Sequence, residues 1–184
     1  MRRSPVPQSA LAVNVGEAEK CVSAIRAQFD PSARLGAPAH ITLLYPFVEP
    51  TDIDAPVLTA LEAVVSGTAS FAFRLATIGR FTDTLYLAPE PAKPFIALTH
   101  ALVARFPLLL PYGGQFESVV PHLTVARGSP DELSCAKTRL SANLAGTGGI
   151  RGQCREVVLI ENSSGHWQPM RAFALALKDA TAGS

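Results

Sequence analysis

Four histidines occur in 184 residues, and two of them stand in one tripeptide pattern: His40-Ile41-Thr42 and His122-Leu123-Thr124. The chain has twelve threonines. Two of four histidines would gain a threonine two places on by chance about once in forty such sequences, so the pair is a signal where one motif is not. Pro38-Ala39 precedes the first motif, Pro121 precedes the second, and aliphatic residues follow both. The motifs are 82 residues apart, close to half the chain, and an internal duplication explains that better than coincidence.

On a β-strand, residues i and i+2 project from one face about two rises of roughly 3.3 Å apart. An imidazole and a hydroxyl so placed can meet the same small anion, while Ile41, Leu43, Leu123 and Val125 point into a core. Two such pairs facing one another supply two groups that titrate near neutrality for proton transfer and two hydroxyls for phosphoryl oxygens. The expected geometry has His40 and His122 in one accessible cleft, side chains within about 5–8 Å, with room for one phosphate. No carboxylate cluster or cysteine pair stands beside either motif, so no metal is expected.

The elements that must position these groups follow from pattern. Ala10–Val15 reads as a buried strand, and a helix follows to Phe29 with Ala18, Val22, Ile25 and Phe29 at helical spacing. A Gly/Pro loop leads to a strand from His40 to Phe47. A second helix starts between Thr51 and Pro56, carries Leu58, Leu61 and Val65 on one face, and stops at Gly67. Phe71–Phe81 alternates and can pair with Thr84–Leu87; a third helix spans Phe95–Phe106. A connection through Pro107, Pro111, Gly113 and Gly114 reaches a strand over Val119–Arg127. Ser129-Pro130-Asp131-Glu132 is a capping box opening a helix to Leu144. Two strands, Gln153–Glu161 and Trp167–Leu177, close the chain around the turn Asn162-Ser163-Ser164-Gly165. This order predicts an α+β fold: one bilobal domain over residues 1–184, with half-repeats at about 10–88 and 89–180, antiparallel sheet with helices outside, a pseudo-twofold axis and a central cleft.

Composition bounds the function. Sixteen Lys and Arg against 15 Asp and Glu leave a net charge of +1, which argues against a broad nucleic-acid coat but allows a single nucleotide phosphate. Hydrophobic residues make up 48%, ample for a core. Cys21, Cys135 and Cys154 are far apart and odd in number, and buried reduced thiols are expected. No apolar run reaches the length of a signal peptide or a membrane helix, so a cytoplasmic monomer with no membrane contact and no obligate protein partner is expected.

At these motifs the sequence resembles the two-histidine phosphoesterases, which include bacterial 2′-5′ RNA ligases and 2′,3′-cyclic nucleotide phosphodiesterases. PAHITLLYPF and VVPHLTVAR carry the likeness, supported by the opening strand and helix, LYLAPEP and VVLIENSSGHWQPMRAFAL. The resemblance implies a cofactor-free enzyme hydrolysing a cyclic phosphodiester of a nucleotide or RNA end, or running backwards as a ligase. His40 and His122 would be acid and base, and Thr42 and Thr124 would bind phosphate. Members also use the fifth residue after each histidine, here Tyr45 for base stacking and Arg127 for phosphate. Alternation alone objects, because +5 is odd and should face away from the histidine unless the strand is bulged or ends first.

Other residues read as structural. His100 lies on a helix surface, and His166 lies beside a hairpin turn where Trp167 packs a sheet face, though His166 could line a cleft. Phe81 and Tyr86 read as core, and Arg80, Arg151 and Arg155 as solvated. Gly113-Gly114 and Gly148-Gly149 are loops with no GK[ST] after them. A catalytically idle nucleotide- or RNA-binding module on the same fold is the alternative function, and an unrelated structural α+β protein a third. Both complete motifs count against the binding module, and the structural protein needs the pair to be accidental.

Overall fold

The computed structural model describes residues 6–110, 114 and 119–177. Its strands are β1 (Ser9–Asn14), β2 (His40–Leu44), β3 (Phe71–Arg80), β4 (Thr84–Glu90), β5 (Leu123–Arg127), β6 (Ile150–Cys154), β7 (Glu156–Glu161) and β8 (Gln168–Ala174). The helices are α1 (Glu19–Phe29), α2 (Pro31–Arg34), α3 (Ala55–Ser66), α4 (Lys93–Arg105) and α5 (Pro130–Leu144), with short 3₁₀ turns at Gly16–Ala18 and Pro50–Asp52.

All eight strands form one sheet in the order β6-β3-β4-β5-β2-β1-β7-β8, with every neighbouring pair antiparallel. The fold is α+β. The order is symmetric about the β5–β2 junction: β4 and β1 flank it, then β3 and β7, then β6 and β8. One half is therefore built from the consecutive strands β3 to β6, the other from both ends of the described chain, β1 and β2 with β7 and β8, and the repeated order β1-α1-β2-α3 and β4-α4-β5-α5 begins its second copy at β4. β6 and β7 are joined by Arg155 alone, yet they stand first and seventh in the sheet. One residue reaches at most about 3.6 Å, so the sheet must curl to bring those two strands together.

One face of the sheet is covered. Val22, Ile25 and Phe29 of α1, Leu61 and Val65 of α3, Phe95, Leu98 and Leu102 of α4, and Leu133, Ala136 and Leu140 of α5 form one core with the inward strand residues. Ile41, Leu43, Leu123 and Val125 are among them. Each fully buried Leu, Ile or Phe stabilises by about 1.5–3 kcal/mol, so this face anchors the strands that carry the motifs. On the opposite face the described residues form a small buried apolar cluster, Ala10, Ala12, Val158 and Ile160, with Tyr45 and Trp167 against it.

Local signals behave as the residues demand. Ser129 accepts from the Glu132 amide, and the Glu132 carboxylate accepts from the Ser129 amide at 2.8 Å, which completes the capping box of α5. Asp54 caps α3 through the Val57 amide at 2.9 Å. Gly165 donates its amide to the Asn162 carbonyl in the β7–β8 turn.

Three boundaries differ from the pattern reading. β2 ends at Leu44, before the cis Tyr45–Pro46 peptide. The segment 119–122 lies outside the strand that begins at Leu123. Gln153–Glu161 is two strands: Cys154 is the last residue paired with β3, and the Arg155 carbonyl already accepts from the Leu175 amide, one step beyond the Glu156–Ala174 pair of β7 and β8. Gly113 lies outside the described residues. Of the thiols, Cys154 is buried, with burial pushing it up to about 12, Cys21 is half-buried and Cys135 is exposed on α5. No described helix is long and apolar enough to cross a membrane.

Candidate active site

The two halves of the sheet meet at the register pair Ile41–Leu123. Both side chains are wholly buried in the helix-covered core. Alternation then sends their neighbours to the open face. Extending the antiparallel pair by one residue each way sets His40 opposite Thr124, and Thr42 opposite His122. The four half-buried side chains form a square about the pseudo-twofold, with each histidine beside the other motif's threonine. The two histidines sit on a diagonal of that square, where backbone separations are roughly 7–8 Å.

Both imidazoles are oriented identically. His40 Nδ1 lies 2.7 Å from the Pro38 carbonyl, and His122 Nδ1 lies 2.7 Å from the Val120 carbonyl, two residues back in each case. A carbonyl oxygen only accepts, so Nδ1 carries a hydrogen in both rings and the titrating proton sits on Nε2. The prolines stand differently in this arrangement: Pro38 itself supplies the carbonyl that holds His40, and Pro121 lies between Val120 and His122.

Electrostatics hold both rings toward the neutral form. Burial lowers the pKa of His40 most, opposed by its bond to Pro38; Arg26 and His122 lower it further and Asp30 raises it. Burial likewise lowers His122 most, opposed by its bond to Val120, and Arg127 adds to the lowering. Behind His40, Arg26 and Asp30 form a buried ion pair at 2.9 Å. Arg26 also donates to the Ala37 carbonyl at 3.2 Å, and the Glu19 carboxylate accepts from the Ala39 amide at 2.7 Å. The loop that aims His40 is therefore tied at both ends to α1.

The objection from alternation to the +5 residues fails, and for the same reason in both motifs. The β1–β2 register slips between Leu11 and Ala12, leaving Leu43 as the extra residue of β2. The β4–β5 register slips between Leu85 and Tyr86, leaving Val125 extra on β5. These are matching bulges, and each turns two consecutive residues into the core: Leu43 with Leu44, and Val125 with Ala126. Parity reverses, so Tyr45 and Arg127 come out on the histidine face. Arg127 is exposed and close enough to His122 to shift its titration. Tyr45 donates its hydroxyl to Gln8 Oε1 at 2.7 Å and meets Trp167 edge-on at 6.3 Å.

Two residues read from sequence as core instead flank the site. Phe81 stacks on Tyr86 at 4.4 Å, and their rings lie 5.2 and 5.3 Å from the His122 ring. The pattern reading pairs these two strands, but that the Phe81 ring lies over Tyr86 beside His122 depends on the β4–β5 pairing and has no local sequence signature. On the other flank Asn14, Gly36, Pro38, Ile160, Trp167 and Gln168 line a small recess of about 80 Å³ beside His40. His100 is exposed on α4, and His166 is exposed in the turn before Trp167. Among the described residues, no three or more His, Cys, Asp or Glu side chains stand together as a metal set.

The model of the 2′-5′ RNA ligase superfamily matches residues 11–166, a span that contains both motifs, both bulges and the turn that leads to Trp167. The chain belongs to that superfamily. Solved structures share the fold. Escherichia coli LigT in complex with NADP+ is 19% identical with a TM-score of 0.56, covering 94% of this chain and 99% of that one. LigT complexed with 3′-AMP is 20% identical, TM-score 0.56, over 92% and 98%. TT0787 of Thermus thermophilus is 18% identical, TM-score 0.63, over 93% and 99%. No curated protein sequence matches the chain. Membership supports a phosphoesterase- or ligase-type enzyme.

Proposed function

We propose that the protein hydrolyses a cyclic phosphodiester, the 2′,3′-cyclic phosphate of a nucleotide or RNA end, by metal-independent acid–base catalysis between His40 and His122. The supporting observation is the square at the β2–β5 junction, in which two imidazoles with the same fixed tautomer share one face with two hydroxyls. One neutral Nε2 takes a proton from water as its oxygen attacks phosphorus. The other, protonated at Nε2, gives its proton to the departing ribose oxygen. Thr42 and Thr124 donate to the non-bridging oxygens, and Arg127 adds positive charge where the equatorial oxygens gather it, the chief service a protein renders phosphoryl transfer. With a 5′-hydroxyl in place of water the same step is a ligation: the 5′-oxygen attacks phosphorus and gives its proton to the neutral imidazole, the 3′-oxygen leaves with the proton of the other, and a 2′-5′ phosphodiester results. LigT has been solved with 3′-AMP and with NADP+, and the same ligand class, a nucleotide, is proposed here. Tyr45, held by Gln8 and Trp167, closes the His40 flank of the square.

The test is turnover of the four 2′,3′-cyclic nucleotides and of 2′-5′-linked dinucleotides with chelator present. Release of a ring-opened monophosphate supports the reading. Tight nucleotide binding without turnover of any of them would replace it with a binding module.

A further inference from the structure

The pseudo-twofold makes the chemistry of the site symmetric, but its walls are not. Thr124 pairs across to Tyr86 on β4, whereas the matching threonine, Thr42, pairs across to Ala12 on β1. An aromatic shelf thus stands beside His122, where the other half has only a methyl group. Three features build the shelf. Tyr86 pairs with Gly79 on β3, and a Cβ at Gly79 would overlap the Tyr86 ring, so the glycine lets the ring lie down on the sheet. Phe81 then stacks on Tyr86 with 29° between the planes and remains 36% exposed, a large apolar ring left at the rim of a polar site. The hairpin is pinned by the Phe81 amide on the Thr84 carbonyl and the Gly128 amide on the Asp83 carbonyl, which ties the shelf to the end of β5 where Arg127 stands.

We propose that Phe81, backed by Tyr86, stacks the nucleobase of the nucleoside whose ribose carries the reacting phosphate. The proposal rests on the phosphodiesterase reading and adds to it a specificity residue and an orientation. An exposed aromatic face next to a cationic side chain and a phosphate position is what a base with any edge pattern can use. Tyr45, the symmetry counterpart of Arg127, is less suited: its hydroxyl is bonded to Gln8 and it is packed against the cluster of Ala10, Ala12, Val158 and Ile160. With a shelf on one side only, a substrate that could enter a twofold-symmetric square in two ways has one.

The experiment compares wild type with Phe81→Ala and Phe81→Trp. Calorimetry measures binding of adenosine 3′-monophosphate and of ribose 3-phosphate, which lacks the base. Turnover is followed on adenosine 2′,3′-cyclic phosphate, on ribose 2,3-cyclic phosphate and on a trinucleotide ending in the same cyclic phosphate. Phe81→Ala should weaken binding of the nucleotide and raise KM for both base-bearing substrates roughly 5- to 100-fold. It should leave the abasic ligand and substrate near wild type, and Phe81→Trp should restore the base dependence. If Phe81 merely supports His122, the abasic compounds suffer equally, and that result overturns the proposal. So does unchanged binding in Phe81→Ala, or a loss confined to the trinucleotide. Base-dependent binding through Phe81 without turnover in wild type would remove the hydrolysis reading and leave the stacking assignment standing.

Discussion

Ile41 and Leu123 form the register pair through which the two halves of the sheet are joined, and the pseudo-twofold relating the two motifs passes between them. Because their side chains fill the core, the chemistry-bearing residues on either side have no choice of face. A one-residue slip at this pair would bury the histidines and expose the aliphatics. Stability and catalysis are thus coupled at one place in the sheet.

That coupling sets the first expectation. His40→Ala and His122→Ala should each lower kcat by roughly 10²–10⁴, the contribution of a positioned acid or base, while far-UV dichroism and the unfolding midpoint change little. The double variant should be little slower than either single, since the two imidazoles serve one proton-transfer cycle. Full turnover in His122→Ala would remove the acid–base assignment.

The threonines should give a different signature. Thr42→Val or Thr124→Val removes one hydroxyl donor at constant shape and should cost about 1–3 kcal/mol in kcat/KM. The crossed pairing adds a finer expectation. In double-variant cycles, coupling between His40 and Thr124, which face each other across the strands, should be at least as large as coupling between His40 and Thr42.

How much of this is legible in the chain differs by residue. The four motif residues and the capping box of α5 can be read because their signals are local and repeat. The β6–β7 break cannot, since there the chain changes partner from Phe71 of β3, paired with Cys154, to Leu175, which donates to Arg155, and neither partner is local. Tyr45 and Arg127 reach the histidine face, where alternation alone does not put them. The bulges that bring them there are set by packing of Leu43–Leu44 and Val125–Ala126 into the core, a tertiary choice that a period-2 pattern cannot express. The Phe81–Tyr86 stack depends on the empty position at Gly79 across the hairpin, and its meaning appears only once β3 and β4 are paired.

Removing the Arg26 partner of the buried ion pair should be severe. Arg26→Met leaves the Asp30 carboxylate buried with only the Ser32 amide and hydroxyl, and frees the Ala37 carbonyl behind the His40 loop. Breaking a buried pair from one side costs about 3–5 kcal/mol, which in a chain of this size lowers Tm by roughly 6–20 °C. Thermal unfolding near neutral pH measures it, and a shift under about 2 °C would mean the pair is not holding the loop.

The last expectation concerns pH, and its sign follows from the direction of both histidine shifts. Folding lowers the pKa of His40 and of His122, so between the folded and unfolded values the unfolded chain binds more protons. Stability should therefore be fully present above the ordinary histidine value of about 6.5 and decline as pH falls through the folded values, levelling below them. The same shifts move the rate profile. kcat/KM reports the free enzyme, which must hold one imidazole neutral and one protonated, so its optimum lies midway between two macroscopic pKa values that belong to the pair. With both pulled down, chiefly by burial, the bell should centre below about 6.5. Arg127→Gln removes one cause of lowering at His122 and should move the bell toward higher pH, in addition to any loss of phosphate affinity. Measuring kcat/KM from about pH 4.5 to 8.5 for both proteins decides it: an optimum above about pH 7 in the wild type, or an Arg127→Gln bell displaced to lower pH, would contradict the electrostatic account of the site.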